Sequence, residues 1–218
     1  MSSRHDLKQK ITGVILSGGA GSRFGGLDKG LQTYKGTALI EHVIQRLSGQ
    51  VDDLVLCVNR NHAKYQQYGY QLVSDQGHNG VDCQEPIYEG AVYQGPTYEG
   101  PMAGIVSVLK NFGNPELISP QSILVSSCDS PLLPLDYVGK LNAAMVNNNA
   151  SSAVVYDGER SQNLHCLIHS SAWNSVSEFY QRGERAMYKW HKKNGSVEVN
   201  FSNQAADFLN INSKELLS

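Results

Sequence analysis

The chain has 218 residues, the size of one α/β domain with a sizeable core, or at most a domain with a small lobe. Its 18 Lys+Arg against 20 Asp+Glu give a net charge of −2, which excludes the broad basic face expected of a protein that binds nucleic acid or an anionic membrane. No apolar run approaches membrane-spanning length, and Cys57, Cys83, Cys128 and Cys166 lack Cys-x-x-Cys spacing, which points to reduced thiols in a cytoplasmic protein.

Residues 1–10 are polar, lack the apolar segment of a signal peptide, and are expected to fray. Ile11, Val14, Ile15 and Leu16 then form the apolar run of a strand buried on both faces. It breaks into Ser17-Gly18-Gly19-Ala20-Gly21-Ser22-Arg23, with Lys29 a few residues on. Glycines let backbone N–H groups approach an anion closely, and Arg23 and Lys29 add two cations, so the expected guest is a polyphosphate. A Walker A loop is excluded because Gly26-Leu27-Asp28-Lys29-Gly30 has neither the order nor the hydroxyl for it. A dinucleotide fingerprint fits poorly: Gly19-Ala20-Gly21 is followed by Ser22, Arg23 and Phe24, and the next strand ends near Asn59 rather than on an acid.

Helical spacing of Leu39, Ile40, Val43, Ile44 and Leu47 predicts a helix over about 37–48, with Gly49 as its cap. A strand over 54–58 leads to Asn59-Arg60, a polar helix over 61–68 stops at Gly69, and a strand over 70–74 leads to Asp75. This alternation predicts βαβ units, hence a three-layer α/β domain with a mostly parallel central sheet of Rossmann-like architecture. Ligands of such sheets sit beyond the carboxyl ends of the strands, where the glycine loop, Asn59, Asp75 and Asp129 would gather. Residues 76–100 carry Tyr88-Glu89-Gly90, Tyr93-Gln94-Gly95 and Tyr98-Glu99-Gly100 at a five-residue step, either a lid over a base or pterin or an ungoverned loop. Deleting 78–97 tests this, since unchanged affinity and turnover would sink the lid.

Pro101 opens a helix with an apolar face of Met102, Ile105, Val106 and Leu109, and residues 122–127 read as a central strand. That strand delivers Cys128-Asp129-Ser130-Pro131 to the rim, and Asp129 is the best metal ligand in the chain. A single carboxylate plus substrate phosphates suits Mg²⁺. A helix over 136–145 and a hairpin around Asp157-Gly158-Glu159 follow, then a helical stripe of Trp173, Val176, Phe179 and Tyr180 that ends at Gly183-Glu184-Arg185. His191, Lys192 and Lys193 read as a charged helix end. Strands over 197–201 and 208–211 should close the sheet, with Asn210 and Asn212 near its rim, before a short helix over 214–217. The seven His are dispersed, and no arrangement suggests covalent catalysis.

Taken together, LSGGAGSRFGGLDKGL resembles the signature loop of nucleotidyltransferases with an L-x-G-G-x-x-x-R-x-G-x-x-K pattern, and most resembles the molybdenum cofactor guanylyltransferase (MobA) family. Asn59-Arg60, Asp75, Gly100-Pro101-Met102-Ala103-Gly104, Cys128-Asp129-Ser130-Pro131, Asp157-Gly158-Glu159-Arg160, Gly183-Glu184-Arg185 and Asn210-Ile211-Asn212 fall in the family's order nearly end to end. The resemblance implies that Leu16, Ser17, Gly18 and Asp75 line a guanine nucleotide site, with Gly19 and Gly21 in the same loop. It also implies that the later half handles a pterin phosphate, making Arg160, Arg185, Asn210 and Asn212 candidate acceptor contacts. Two departures stand out: Cys57 occupies the family's Asn position after the second strand, where Asn59 either substitutes for it or leaves that contact unmade, and Gln162-Asn163-Leu164-His165 lacks the family's proline.

The expected reaction is transfer of GMP from GTP to the phosphate of molybdopterin, forming the guanine dinucleotide cofactor and pyrophosphate. Arg23 and the loop amides would hold the triphosphate, Lys29 would sit near the α-phosphate, and Asp129 would hold Mg²⁺. Molybdoenzymes or their chaperones would receive the product. The alternatives are a cytidylyltransferase of the same cofactor, a sugar- or alcohol-phosphate nucleotidyltransferase, and a nucleotide-binding module without turnover.

Overall fold

The computed structural model describes residues 10–17, 27–74, 100–112 and 121–211. Gly18, Gly19, Gly21, Arg23, Asp75, Asn212, the 76–100 loop except Gly100, and the helix expected over 214–217 lie outside the described residues.

Strand β1 (Ile11–Leu16) is central, as its apolar run requires, pairing in parallel with β4 (Asp53–Cys57) on one side and β6 (Ser122–Ser127) on the other. Strand β5 (Gln71–Val73) extends the sheet in parallel beyond β4. Beyond β6 the hairpin of β7 (Ser152–Tyr156) and β8 (Ser161–His169) enters with β8 antiparallel to β6, and β9 (Val197–Asn200) closes the edge parallel to β7. The order is β5-β4-β1-β6-β8-β7-β9, a mostly parallel sheet of 7 strands. A two-residue hairpin of β2 (Thr33–Tyr34) and β3 (Thr37–Ala38) stands apart. Its turn, Lys35 and Gly36, has φ of 48° and 82°, the doubly positive geometry that matches strand twist.

Helices cover both faces. On one face α1 (Leu39–Leu47) and α4 (Tyr137–Asn147) bury Ile40, Val43, Leu47, Tyr137, Leu141 and Met145 against Ile15, Leu56 and Leu124. On the other, α3 (Pro101–Phe112), α5 (Trp173–Gln181) and α6 (Met187–Asn194) bury Met102, Ile105, Val176, Phe179 and Trp190 against Val14, Val55 and Val125. Adjacent β1 residues thus serve opposite cores, the period of two that a doubly covered strand imposes. The short α2 (His62–Gln66) contributes Tyr65 to the first core. No helix among the described residues is long and apolar enough to cross a membrane.

Two expectations from sequence are corrected. Residues 208–211 do not form a strand: Ser202–Phe208 is a 3₁₀ segment, and the chain leaves it extended at Leu209 without joining the sheet, the Ile211 amide donating to the Asp129 carbonyl at 2.9 Å instead of to a strand. His191 is not a solvated helix end; it is buried, with its ring nitrogens on the Ser196 hydroxyl at 2.9 Å and the Asn163 carbonyl at 3.0 Å.

Candidate active site

The carboxyl ends of β1, β4, β5 and β6 share one rim because these strands are parallel. At the end of β1 the Ser17 amide donates to the Cys57 carbonyl at 2.8 Å and the Cys128 amide donates to the Leu16 carbonyl at 3.1 Å, so three chain segments leave the sheet side by side. Gly104 permits the close approach of α3 behind them, since a Cβ there would lie 2.9 Å from Cys57 Sγ and 3.2 Å from Leu16 Cδ2. Cys57 is buried in that contact and offers the rim its carbonyl rather than its thiol. Asn59, just past β4, accepts from Ser74 Oγ at 3.3 Å, joining the β4 and β5 exits.

Both described stems of the glycine-rich loop are tied to one buried carboxylate. Asp28 accepts from Tyr65 Oη at 2.7 Å and the Gly30 amide at 3.2 Å on one oxygen, and from Asn61 Nδ2 at 3.0 Å on the other. Arg60 lies 3.8 Å from that second oxygen and also donates to the Leu27 carbonyl at 2.9 Å. Since the phenol's one hydrogen goes to Asp28, Ser17 Oγ must donate to Tyr65 Oη, at 2.6 Å. Burial, with Cys128 and Asp28 adding to it, pushes the Tyr65 phenol well above its ordinary range, so it stays a donor. Gly30 leaves no room for a side chain, as a Cβ would lie 2.3 Å from Ser17 Oγ and 2.5 Å from Tyr65 Oη.

This network sets Lys29 in place. Its Nζ lies 2.5 Å from Asp129 Oδ2, joining residues 100 positions apart, and Ser127 Oγ donates to Asp129 Oδ1 at 2.5 Å. The Ile211 amide donates to the Asp129 carbonyl at 2.9 Å and fixes the turn from the C-terminal side. Ser130 Oγ donates to Asn210 Oδ1 at 2.7 Å, bringing Asn210 to the same turn. Below it His165 is buried between Ser130 Oγ, 3.0 Å from Nε2, and Ser126 Oγ, 3.2 Å from Nδ1. Burial lowers the His165 pKa to about 4 against the opposing charge of Asp129, so the ring is neutral near pH 7. Burial, and next the Asp129 charge, pushes the Cys128 thiol up to about 12, which removes it as a nucleophile.

Arg160 is exposed at the β7–β8 turn, which Asp157 orders by accepting the Glu159 and Arg160 amides at 2.8 Å each. Arg185 lies at the end of α5, donating to the Tyr180 carbonyl at 2.8 Å with its guanidinium 4.0 Å from the Tyr180 ring centroid. The structure therefore brings together Ser17, Lys29, Asp129 and Asn210, and gives Arg185 a helix-capping contact. Asp28, Tyr65, Asn61, Ser127, Ser130 and His165 are additions that sequence reasoning missed. Asp28 and Ser130 alone carried a signal, as the residue before Lys29 in the loop motif and the residue after Asp129 in the strand-end motif.

Among the described residues no cluster of three or more His, Cys, Asp or Glu could hold a metal. Asp129 can hold one as a lone carboxylate: its Oδ2 already faces a cation, the Lys29 ammonium, while Ser127 fixes Oδ1, and a hard divalent ion completed by phosphate oxygens and water fits that donor set.

A family model described as the MobA-like NTP transferase domain matches residues 13–196. The chain belongs to that family. Among MobA-like relatives, a protein named molybdenum cofactor guanylyltransferase from Shewanella sp. (strain MR-4) is 35% identical over 94% of this chain and 92% of its own. One of the same name from Shewanella frigidimarina (strain NCIMB 400) is 36% identical over 94% and 93%. The crystal structure of molybdopterin-guanine dinucleotide biosynthesis protein A from Archaeoglobus fulgidus shares the MobA-like fold, with a TM-score of 0.68, 20% identity and 94% of both chains covered.

Proposed function

We propose that this chain transfers GMP from GTP to the phosphate of molybdopterin, releasing pyrophosphate, in the cytoplasm. Convergence of Lys29 and Asp129 between the ends of β1 and β6, beside a glycine-rich loop whose stems are pinned by Asp28, is the observation that carries the reading. The name of the Shewanella relatives at 35% and 36% identity supports guanine as the base and the molybdenum cofactor as acceptor.

The N-terminal half binds the nucleotide and the C-terminal half the acceptor. An acceptor phosphate oxygen attacks the α-phosphorus of GTP, and the bond to the β-phosphate oxygen breaks as pyrophosphate leaves in line. Because the attacking oxygen is already ionised, no strong base is required, which agrees with a neutral His165 and a protonated Cys128. Arg23 and the amides of Gly18, Gly19 and Gly21 hold the triphosphate, while Leu16, Ser17, Gly18, Asn59 and Asp75 line the guanine nucleotide site. Lys29 exchanges Asp129 for the α-phosphate, where negative charge builds. Asp129 would hold Mg²⁺, which when bound would supply neutralisation of the phosphate charge. Asn210, Asn212 and Arg160 meet the acceptor, and molybdoenzymes or their chaperones take the product.

Calorimetric titration with GTP, CTP, ATP and UTP in Mg²⁺, on wild type and Asp129→Ala, tests the reading. GTP should bind best, and more weakly to the variant. Preference for CTP would move the assignment to cytidylyl transfer, and no binding of any nucleotide would overturn it.

A further inference from the structure

Strand β8 leaves its neighbours where the reaction rim begins. Its pairing with β6 ends at Val125 and Cys166, so Ser126 and Ser127 pair only with β1. On its other edge the register with β7 jumps from Val154–Cys166 to Val155–Gln162, which puts Asn163, Leu164 and His165 in a bulge. Bulges of this kind re-aim side chains beside sites. Here the bulge turns the His165 ring under the Asp129 turn, walled by Tyr137 and Phe208 edge-on with centroids at 6.2 and 5.6 Å. His191 steadies the bulge by bonding the Asn163 carbonyl at 3.0 Å.

The hydroxyls at 126 and 130 and the ring at 165 are all buried, so each hydrogen must be placed. Ser130 has one hydrogen and gives it to Asn210 Oδ1; its oxygen can then only accept from His165 Nε2–H, leaving Nδ1 to accept from Ser126. The chain runs Ser126 to His165 to Ser130 to Asn210 in one direction. Reversed, with the proton on Nδ1, Ser130 would donate to Nε2 and Asn210 would have to turn its amide nitrogen inward. Its carbonyl would then face the rim, the wrong pole for an anion.

Resting on the functional reading above, we propose that His165 is a positioning residue: acting through Ser130, it holds the Asn210 carboxamide with its N–H donors toward the acceptor phosphate. The ring does not touch substrate. A hydrophobic residue at 165 could fill the space but could not give the chain a direction.

Long-range ¹H–¹⁵N spectra of the wild-type protein near pH 7, with His165 identified by its loss in His165→Gln, read the tautomer directly. The neutral Nε2–H form is expected, and the Nδ1–H form would overturn the proposal. Steady-state kinetics of Ser130→Ala and Ser130→Thr supply the second readout. Loss of one positioned hydrogen bond should raise the acceptor KM about tenfold in Ser130→Ala, with kcat and the GTP KM within about twofold of wild type, and threonine should restore it. An unchanged acceptor KM in Ser130→Ala would overturn the proposal. A wild-type protein that makes no dinucleotide would refute the functional reading instead, and the tautomer would still decide the direction of the chain.

Discussion

Replacing Asp28 by asparagine alters one atom of a buried carboxylate and should cost far more than a surface change. Tyr65 Oη and the Gly30 amide converge on Oδ1, while Asn61 Nδ2 and the Arg60 guanidinium face Oδ2. In Asp28→Asn the carbonyl can keep one pair, which leaves the new –NH₂ facing donors on the other side. The cost combines one lost charge-assisted hydrogen bond, of about 2 kcal/mol, with a partly screened Arg60 charge worth about 1 kcal/mol, or about 3 kcal/mol in all. For a chain of this length about 3 kcal/mol corresponds to a fall in Tm of roughly 6–12 °C. Thermal unfolding followed by far-UV circular dichroism measures it, and calorimetry with GTP reports whether the surviving fold still presents Lys29. A Tm within about 2 °C of wild type, together with unchanged GTP affinity, would refute the claim that Asp28 pins the loop stems.

Lys29→Ala should lower kcat by about 10²- to 10³-fold, as removal of a charge-stabilising donor does, while stability changes by no more than about 1 kcal/mol because the Lys29–Asp129 pair is partly exposed. Preserved kcat would remove Lys29 from the reaction. Gly30→Ala should destabilise by about 1–3 kcal/mol, since the new methyl meets Ser17 Oγ and Tyr65 Oη, neither of which can yield without breaking the network; equilibrium urea unfolding checks this. His165 gives a pH dependence of defined sign. Its folded pKa of about 4 lies below the unfolded value, so the unfolded chain binds the extra proton, and stability falls on acidification from about pH 6.5 to about pH 4. The loss approaches about 3 kcal/mol, and the slope over that window should shrink in His165→Gln. An identical slope in both proteins would contradict a buried neutral ring.

The sheet was legible because its evidence is local. An apolar hexapeptide such as residues 11–16 has few alternatives to a doubly buried strand, and strands separated by helical spacing admit little but a parallel order. Lys29 and Asp129 were legible for a related reason: one follows a glycine-rich turn, the other a strand-ending turn, and parallel topology carries both ends to one rim. The supports of the site were not. Tyr65 sits in a polar helical stretch that reads as solvated, and only a carboxylate 37 residues away gives its hydroxyl a purpose. His165 reads as a strand residue until the bulge turns it out of the ladder, and no spacing in the sequence announces an irregularity that depends on pairing with β7. Likewise Phe208 and Ile211 suggested a strand by apolarity alone, whereas Phe208 is buried against Tyr137 at the end of a 3₁₀ segment and Ile211 is held by its amide on the Asp129 carbonyl.

The measurement that bears most directly on the account is product formation by the purified protein from GTP, molybdopterin and Mg²⁺, in wild type and Asp129→Ala. One guanine dinucleotide is expected for each pyrophosphate released, with no comparable product from CTP and a loss of orders of magnitude in the variant. Full activity in Asp129→Ala, or pyrophosphate release with no dinucleotide formed, would contradict it.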